Sequence, residues 1–168
     1  MGDQVTLKEV TKDLQTTFPD AILDIGGHAG DTLVRIKKEV SIEILSYLKS
    51  QHRFIYLSDI FGTDRFTADE RFEVVYNLIS LRYQLRLFVK LRCEEENPVV
   101  ESATKVWPAA NWFEREVYDM FGIQFTDHPD LRRIYLPQDF KYFPLRKEFP
   151  LLGIPGSIEL PNSTPDTE

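Results

Sequence analysis

Gln84-Leu85-Arg86-Leu87-Phe88-Val89-Lys90-Leu91-Arg92 alternates with a period of two: Leu85, Leu87, Val89 and Leu91 fall on one side, and Arg86, Lys90 and Arg92 on the other, with Phe88 among them. Successive side chains of a strand point to opposite faces, so this stretch reads as a strand with one face in a core and one in water. Arg71 to Ile79 alternates in the same way, and Phe54 to Phe61 is an apolar run that reads as a central strand. Upstream, Thr6-Leu7-Lys8-Glu9 fits a capping box, Leu7, Val10, Leu14 and Phe18 recur on one helical face, and Pro19 marks the exit. Two short strands, Ala21 to Gly26 and Thr32 to Ile36, are joined by the turn Gly27-His28-Ala29-Gly30-Asp31. A second amphipathic helix from about Glu39 to Ser50 would bury Val40, Ile44, Leu45 and Leu48. The expected fold is α+β: an antiparallel or mixed, half-exposed sheet of about five strands packed against two helices, then a short helix and an extended, proline-rich C-terminal segment.

After Glu94-Glu95-Glu96-Asn97-Pro98 the character changes, which predicts an N-terminal α+β unit over 1–107. Residues 108–159 then form a helix, from about Ala109 to Phe121, and a docking segment. Seven of the ten prolines fall at or after Pro129, so that segment is not expected to form helix or inner strand. Yet Ile134, Tyr135, Leu136, Phe140, Tyr142, Phe143, Leu145, Phe149, Leu151 and Leu152 are scattered through it, and extended chain with that much apolar surface lies against something: its own domain in part, another protein for the rest. Residues 160–168 read as a disordered tail.

Composition narrows the function. The 168 residues are 42% hydrophobic and 28% charged, ordinary for a folded domain, and a net charge of −7 disfavours nucleic acid as a partner. No apolar run approaches the roughly 18–20 residues of a membrane span, and the N-terminus lacks the features of a signal peptide. Cys93 is the only cysteine, so an internal disulfide or an iron–sulfur cluster held by this chain alone is ruled out.

The most informative stretch is Glu114-Arg115-Glu116-Val117-Tyr118-Asp119-Met120-Phe121-Gly122-Ile123, followed by His128-Pro129-Asp130-Leu131-Arg132-Arg133-Ile134 and later Pro144-Leu145-Arg146-Lys147-Glu148-Phe149. On a helix Phe113, Val117 and Met120 or Phe121 make one apolar stripe, Gly122 stands where a left-handed C-cap belongs, and Arg115 and Asp119 are spaced to pair at i,i+4. This order of residues resembles the signature of the thirty-kilodalton subunit family of respiratory complex I, the bacterial NADH:quinone oxidoreductase. The match covers roughly Trp112 to Phe149.

The resemblance implies a structural subunit of the peripheral arm, with no flavin, cluster, nicotinamide or metal of its own and no catalytic residues. It would dock on the forty-nine-kilodalton-type and twenty-kilodalton-type subunits that form the quinone site, peripherally on the cytoplasmic side of the cell membrane. Glu114, Arg115, Glu116, Asp119, Phe121, Gly122, His128, Pro129, Leu131, Arg132 and Arg133 would hold the helix, its turn and the docking surface in register, extended by Arg146 and Lys147. A ferredoxin-linked dehydrogenase or membrane-bound hydrogenase would use an equivalent subunit.

Duller readings stand beside these. Glu114, Glu116 and Asp119 also suit a solvated helix face or internal salt bridges. His128 before Pro129 reads as a turn residue hydrogen-bonded to backbone, and no other histidine stands at metal-ligand spacing from it. Gly26-Gly27-His28-Ala29-Gly30 matches neither a P-loop nor G-x-G-x-x-G and reads as a hairpin turn. Cys93 reads as an ordinary buried thiol. Arg132-Arg133 and Arg146-Lys147 suit ion pairs with an acidic partner face. A self-sufficient small hydrolase using Glu116, Asp119 and His128 would need those groups to converge in a pocket.

Overall fold

Thr6 opens the first helix, α1 (Leu7–Thr17), as expected: its backbone N–H donates to Glu9 Oε2 at 2.8 Å, and the Glu9 N–H donates back to Thr6 Oγ1 at 3.3 Å. The computed structural model describes residues 5–66, 69–151 and 153, so the tail expected at 160–168 lies outside the described residues. Val10 and Leu14 of α1 are fully buried, and Pro19 follows its end. A hairpin comes next, β1 (Ile22–His28) and β2 (Asp31–Ile36). His28 pairs with Asp31, so the turn shrinks to Ala29 and Gly30, both at positive φ (52° and 92°), as a tight two-residue hairpin turn requires.

The second helix starts later than its periodicity suggests. Lys38–Val40 is a single 3-10 turn, α2 runs Ser41–Ser50, and Val40 is only half-buried while Ile44, Leu45 and Leu48 reach the core. Three strands follow: β3 (Tyr56–Asp64), β4 (Phe72–Ser80) and β5 (Leu85–Cys93). The five-stranded sheet has the order β1-β2-β5-β4-β3, with β2 and β5 parallel and the other pairs antiparallel. The sheet is therefore mixed. Leu87, Val89 and Leu91 lie in the core beneath the helices, Leu85 is half-buried against it, and Arg86 is exposed on the other face.

β5, not β3, is central. The apolar run at Phe54–Phe61 belongs to an edge strand, and what buries its inner face is a third helix, α3 (Ala110–Phe121). Gly62 permits that contact: a Cβ there would stand 2.7 Å from the Phe121 ring and 3.3 Å from Val117. Two three-residue strands without a sequence signal of their own, β6 (Val99–Glu101) and β7 (Gln124–Thr126), pair in parallel and bracket α3. Gly122 closes α3 at φ 76°, and a Cβ there would meet the Phe143 ring at 2.6 Å. The C-cap expectation holds, and the glycine also makes room for the backbone that returns from 131–149.

Candidate functional site

The signature residues gather where that returning segment crosses the end of α3. Asp119 is fully buried and organises the corner. Its Oδ2 accepts three consecutive backbone N–H groups, from Ile134 (3.0 Å), Tyr135 (2.7 Å) and Leu136 (3.1 Å), while Oδ1 accepts from Arg133 Nη1 at 2.7 Å. Burial alone would raise this carboxyl. The Tyr135 N–H, the Arg133 guanidinium and the other two N–H groups outweigh it and hold the carboxyl below the ordinary aspartate range. Arg133, itself buried, also donates to the Asp119 and Tyr142 carbonyls (3.1 Å each) and lies over the Phe143 ring.

The pairing of Arg115 with Asp119, suggested by their i,i+4 spacing, is not made. Arg115 instead donates to the Arg132 and Arg133 carbonyls at 2.9 and 3.3 Å, because those acceptors arrive on top of it from the returning segment. Nor do Glu114 and Asp119 lie on a solvated face; of the three acids only Glu116 is exposed. Glu114 is fully buried on the other flank of α3. Its Oε2 accepts from the Ser102 hydroxyl and its Oε1 from the Ala103 N–H, both at 2.6 Å. His128 closes that flank as a backbone-bonded turn residue, as the sequence suggests. The Asp130 N–H donates to its Nδ1 at 3.0 Å, so the proton sits on Nε2, which donates to the Asn111 carbonyl at 3.1 Å. Burial lowers the pKa of this imidazole, in keeping with the neutral form.

Further along, Arg146 is clasped between the rings of Phe72 (4.8 Å) and Phe143 (4.6 Å) and donates to the Phe121 carbonyl at 2.7 Å. Leu131 is half-buried against the core, Pro129 is exposed, and Phe121 packs on β3. The Arg132 side chain is exposed and, among the described residues, bonded only to neighbouring Asp130, and the Lys147 side chain is exposed, while the Lys147 backbone N–H donates to Asp64.

Sequence patterning alone does not single out the residue that fastens the far end of the segment. Arg71, 3% exposed, makes a two-pronged bond to Asp64 (2.9 and 2.7 Å) and also binds Glu95 and Glu148. Its guanidinium draws the buried Asp64 carboxyl down to about 2. The available signal is an arginine placed directly after Asp69-Glu70, at the head of an alternating apolar strand. Among the described residues no group of three His, Cys, Asp or Glu side chains is placed to hold a metal ion. Cys93 is buried, and burial pushes its thiol up to about 11, which makes it an inert thiol.

Burial also pushes the Glu114 carboxyl up to about 7, against the two hydrogen bonds that lower it. Because the folded value lies above the unfolded one, its stabilising contribution is full below about pH 4.5 and is lost as pH rises through about 7. Relative to Glu114→Gln, the wild type is expected to lose on the order of 3 kcal/mol between pH 4.5 and 8. His128, whose value is depressed, acts in the opposite direction, and because its Nε2 lies 3.9 Å from Glu114 Oε2 the difference reads Glu114 together with its coupling to that imidazole. Urea unfolding at several pH values reads it, and parallel stability curves would remove Glu114 from the explanation.

Comparison with known proteins bears on this architecture. Residues 34–154 match the family described as the respiratory-chain NADH dehydrogenase 30 kDa subunit. The protein is 42% identical over 153 residues to the C-type subunit of the NADH-quinone oxidoreductase of Hyphomonas neptunium, covering 90% of this chain and 75% of that protein. It is 44% identical over 144 residues to the corresponding subunit of the Trichlorobacter lovleyi enzyme, covering 85% and 88%. Among solved structures it is similar to a trypsin-resistant fragment (1–134) of Nqo5, at 36% identity and TM-score 0.66 over 74% of this chain and 98% of that one. A chain of the membrane-bound sulfane sulfur reductase, an archaeal respiratory membrane complex, shares the fold at 23% identity and TM-score 0.73, with 86% of each chain matched.

Proposed function

The chain belongs to the 30 kDa subunit family of respiratory-chain NADH dehydrogenase, and on that premise we propose that it serves as the C-type subunit of an NADH:quinone oxidoreductase, carrying no electrons itself and holding its neighbours in place. One observation carries the structural half of this reading: the signature charges around the end of α3 fasten this protein to itself. Asp119, Arg115, Arg133 and Arg146 fold residues 131–149 across the end of α3, and that corner presents Tyr135, Tyr142 and Leu145 to the outside. An aromatic surface held on a rigid corner suits a lasting protein interface. Its occupants are the two quinone-site subunits, of the forty-nine-kilodalton and twenty-kilodalton types, on the cytoplasmic side of the membrane. No helix among the described residues is long and apolar enough to cross a membrane, so attachment runs through those neighbours.

Hydrolysis by Glu116, Asp119 and His128 has no support in the geometry. Glu116 is exposed beside β3, Asp119 is enclosed by the returning segment, and the His128 ring is turned to Asn111 and Asp130, so the three share no cavity.

The division of labour among the basic residues is testable. Arg133 and Arg146 work inside the molecule, whereas Arg132 and Lys147 direct their charges outward. Arg132→Glu is expected to leave the unfolding free energy of the isolated protein within about 0.5 kcal/mol of wild type. Recovery of the tagged complex from native membranes in mild detergent should fall several-fold. Equal losses of stability and recovery would place Arg132 among the internal fastenings. Recovery of the tagged wild-type protein without other oxidoreductase subunits would overturn the assignment itself.

A further inference from the structure

β3 has the composition of a strand buried between neighbours, yet it lies at the edge of the sheet. Tyr56-Leu57-Ser58-Asp59-Ile60-Phe61-Gly62-Thr63-Asp64 pairs with β4 along one side and, among the described residues, with no strand along the other. A long open edge exposes unpaired N–H and C=O groups, and proteins guard such edges with lysine, proline, brevity or a bulge. Over its nine residues β3 has no lysine, arginine or proline, and its one irregularity is the register shift between Leu57 and Asp59. Ile55 and Tyr56 are about half exposed, and Phe61 is 38% exposed. Beside this edge runs a cleft of about 120 Å³, with an apolar floor that includes Ile60, Phe61, Met120 and Leu145. Two carboxylates, Asp59 and Glu116, stand at its margin with no cation within salt-bridge distance among the described residues.

We propose that in the assembled complex the open edge of β3 receives an extended segment of a neighbouring subunit as a sixth strand. An apolar side chain of that segment fills the cleft, and a lysine or arginine faces Asp59 and Glu116. Main-chain bonds supply the affinity of strand addition, and the side-chain pockets supply the choice of partner. Charge decides against a second copy of this protein: pairing β3 with itself brings two sets of Asp59 and Glu116 together on molecules that each carry a net charge of −7. This surface adjoins the 131–149 corner at Leu145 but faces the β3 edge, and its use rests on the reading of the protein as a subunit of a larger enzyme.

The test uses the intact complex, purified from its host with Phe61→p-benzoylphenylalanine in this subunit, irradiated and mapped by mass spectrometry. The expected adduct lies on one neighbouring subunit, within a few residues of a lysine or arginine. An adduct on a second copy of this protein, or none in an intact complex, overturns the strand-addition proposal and leaves the subunit assignment standing. Failure of the tagged protein to bring down any oxidoreductase subunit sinks that assignment and this proposal together. Independently, the double variant Asp59→Lys, Glu116→Lys is expected to lower recovery of the complex about tenfold with unchanged melting of the isolated protein. Unchanged recovery overturns the role given to the two carboxylates.

Discussion

Asp119→Ala is expected to release residues 131–149 from the end of α3 at a cost of about 3–5 kcal/mol. The figure follows from what the substitution leaves behind. Arg133 stays buried without its carboxylate, and the part-buried N–H groups of Ile134, Tyr135 and Leu136 lose a shared acceptor. Since the segment packs at the edge of the domain, it is expected to open before the sheet does. Amide exchange at 134–136 should quicken by roughly 10²–10³-fold, with trypsin cutting after Arg132, Arg133 and Lys141 while β4 and β5 remain protected. Asp119→Asn keeps the shape but turns an amide N–H₂ toward either the arginine or the three N–H groups, so an intermediate loss is expected. The folded value of Asp119 lies below the unfolded one, so the clamp holds above about pH 4 and weakens only as pH falls further. Unaltered exchange at 134–136 in the alanine variant would show that the corner is held by something other than Asp119.

Arg71→Met is expected to cost a similar 3–5 kcal/mol, approximately, this time to the sheet as well as to the returning segment. The side chain of Asp64 is entirely enclosed, and without the guanidinium its remaining donors are the Phe66 and Lys147 N–H groups. Glu95 and Glu148 would face it with only Arg146, 4.0 Å from Glu148, as a nearby cation among the described residues. The pH dependence separates this cause from lost packing. In the wild type Arg71 keeps Asp64 ionised down to about pH 2. In the variant, burial without a directly bonded guanidinium raises that carboxyl above its unfolded value, so the variant is fully stable only where Asp64 is protonated. Its deficit relative to wild type should therefore shrink as pH falls from 7 toward 3. A deficit of equal size at both ends would assign the loss to stacking of the guanidinium on the Phe66 and Phe72 rings.

What can be read from sequence is what depends on near neighbours along it. The Thr6–Glu9 capping box, the alternation through β5 and the glycine ending α3 are each set within a few residues. β3 is misplaced by its composition because apolarity reports burial, not position. α3 covers the inner face of this edge strand, where a central strand would have sheet neighbours on both sides. Arg115 and Asp119 stand at pairing distance along the helix, but each finds better partners in residues 132–136, which no helical spacing could reveal. Arg71 draws its carboxylates from Asp64, Glu95 and Glu148, three separate parts of the sequence, and so leaves no motif.

The parallel pairing of β2 with β5 bears on how the protein is made. The β1–β2 hairpin leaves the ribosome early, but the strand that seals its inner edge follows only after α2, β3 and β4 have been synthesised. At roughly 5–20 residues per second that interval lasts several seconds. Throughout it, Val34 and Ile36 have no completed core to enter, and the β2 backbone can pair with any strand it meets. A nascent polypeptide stalled before Leu85 is thus a sticky hairpin, and one released after Cys93 is a closed sheet. Slow codons or a chaperone site, if they serve this protein, belong to that window.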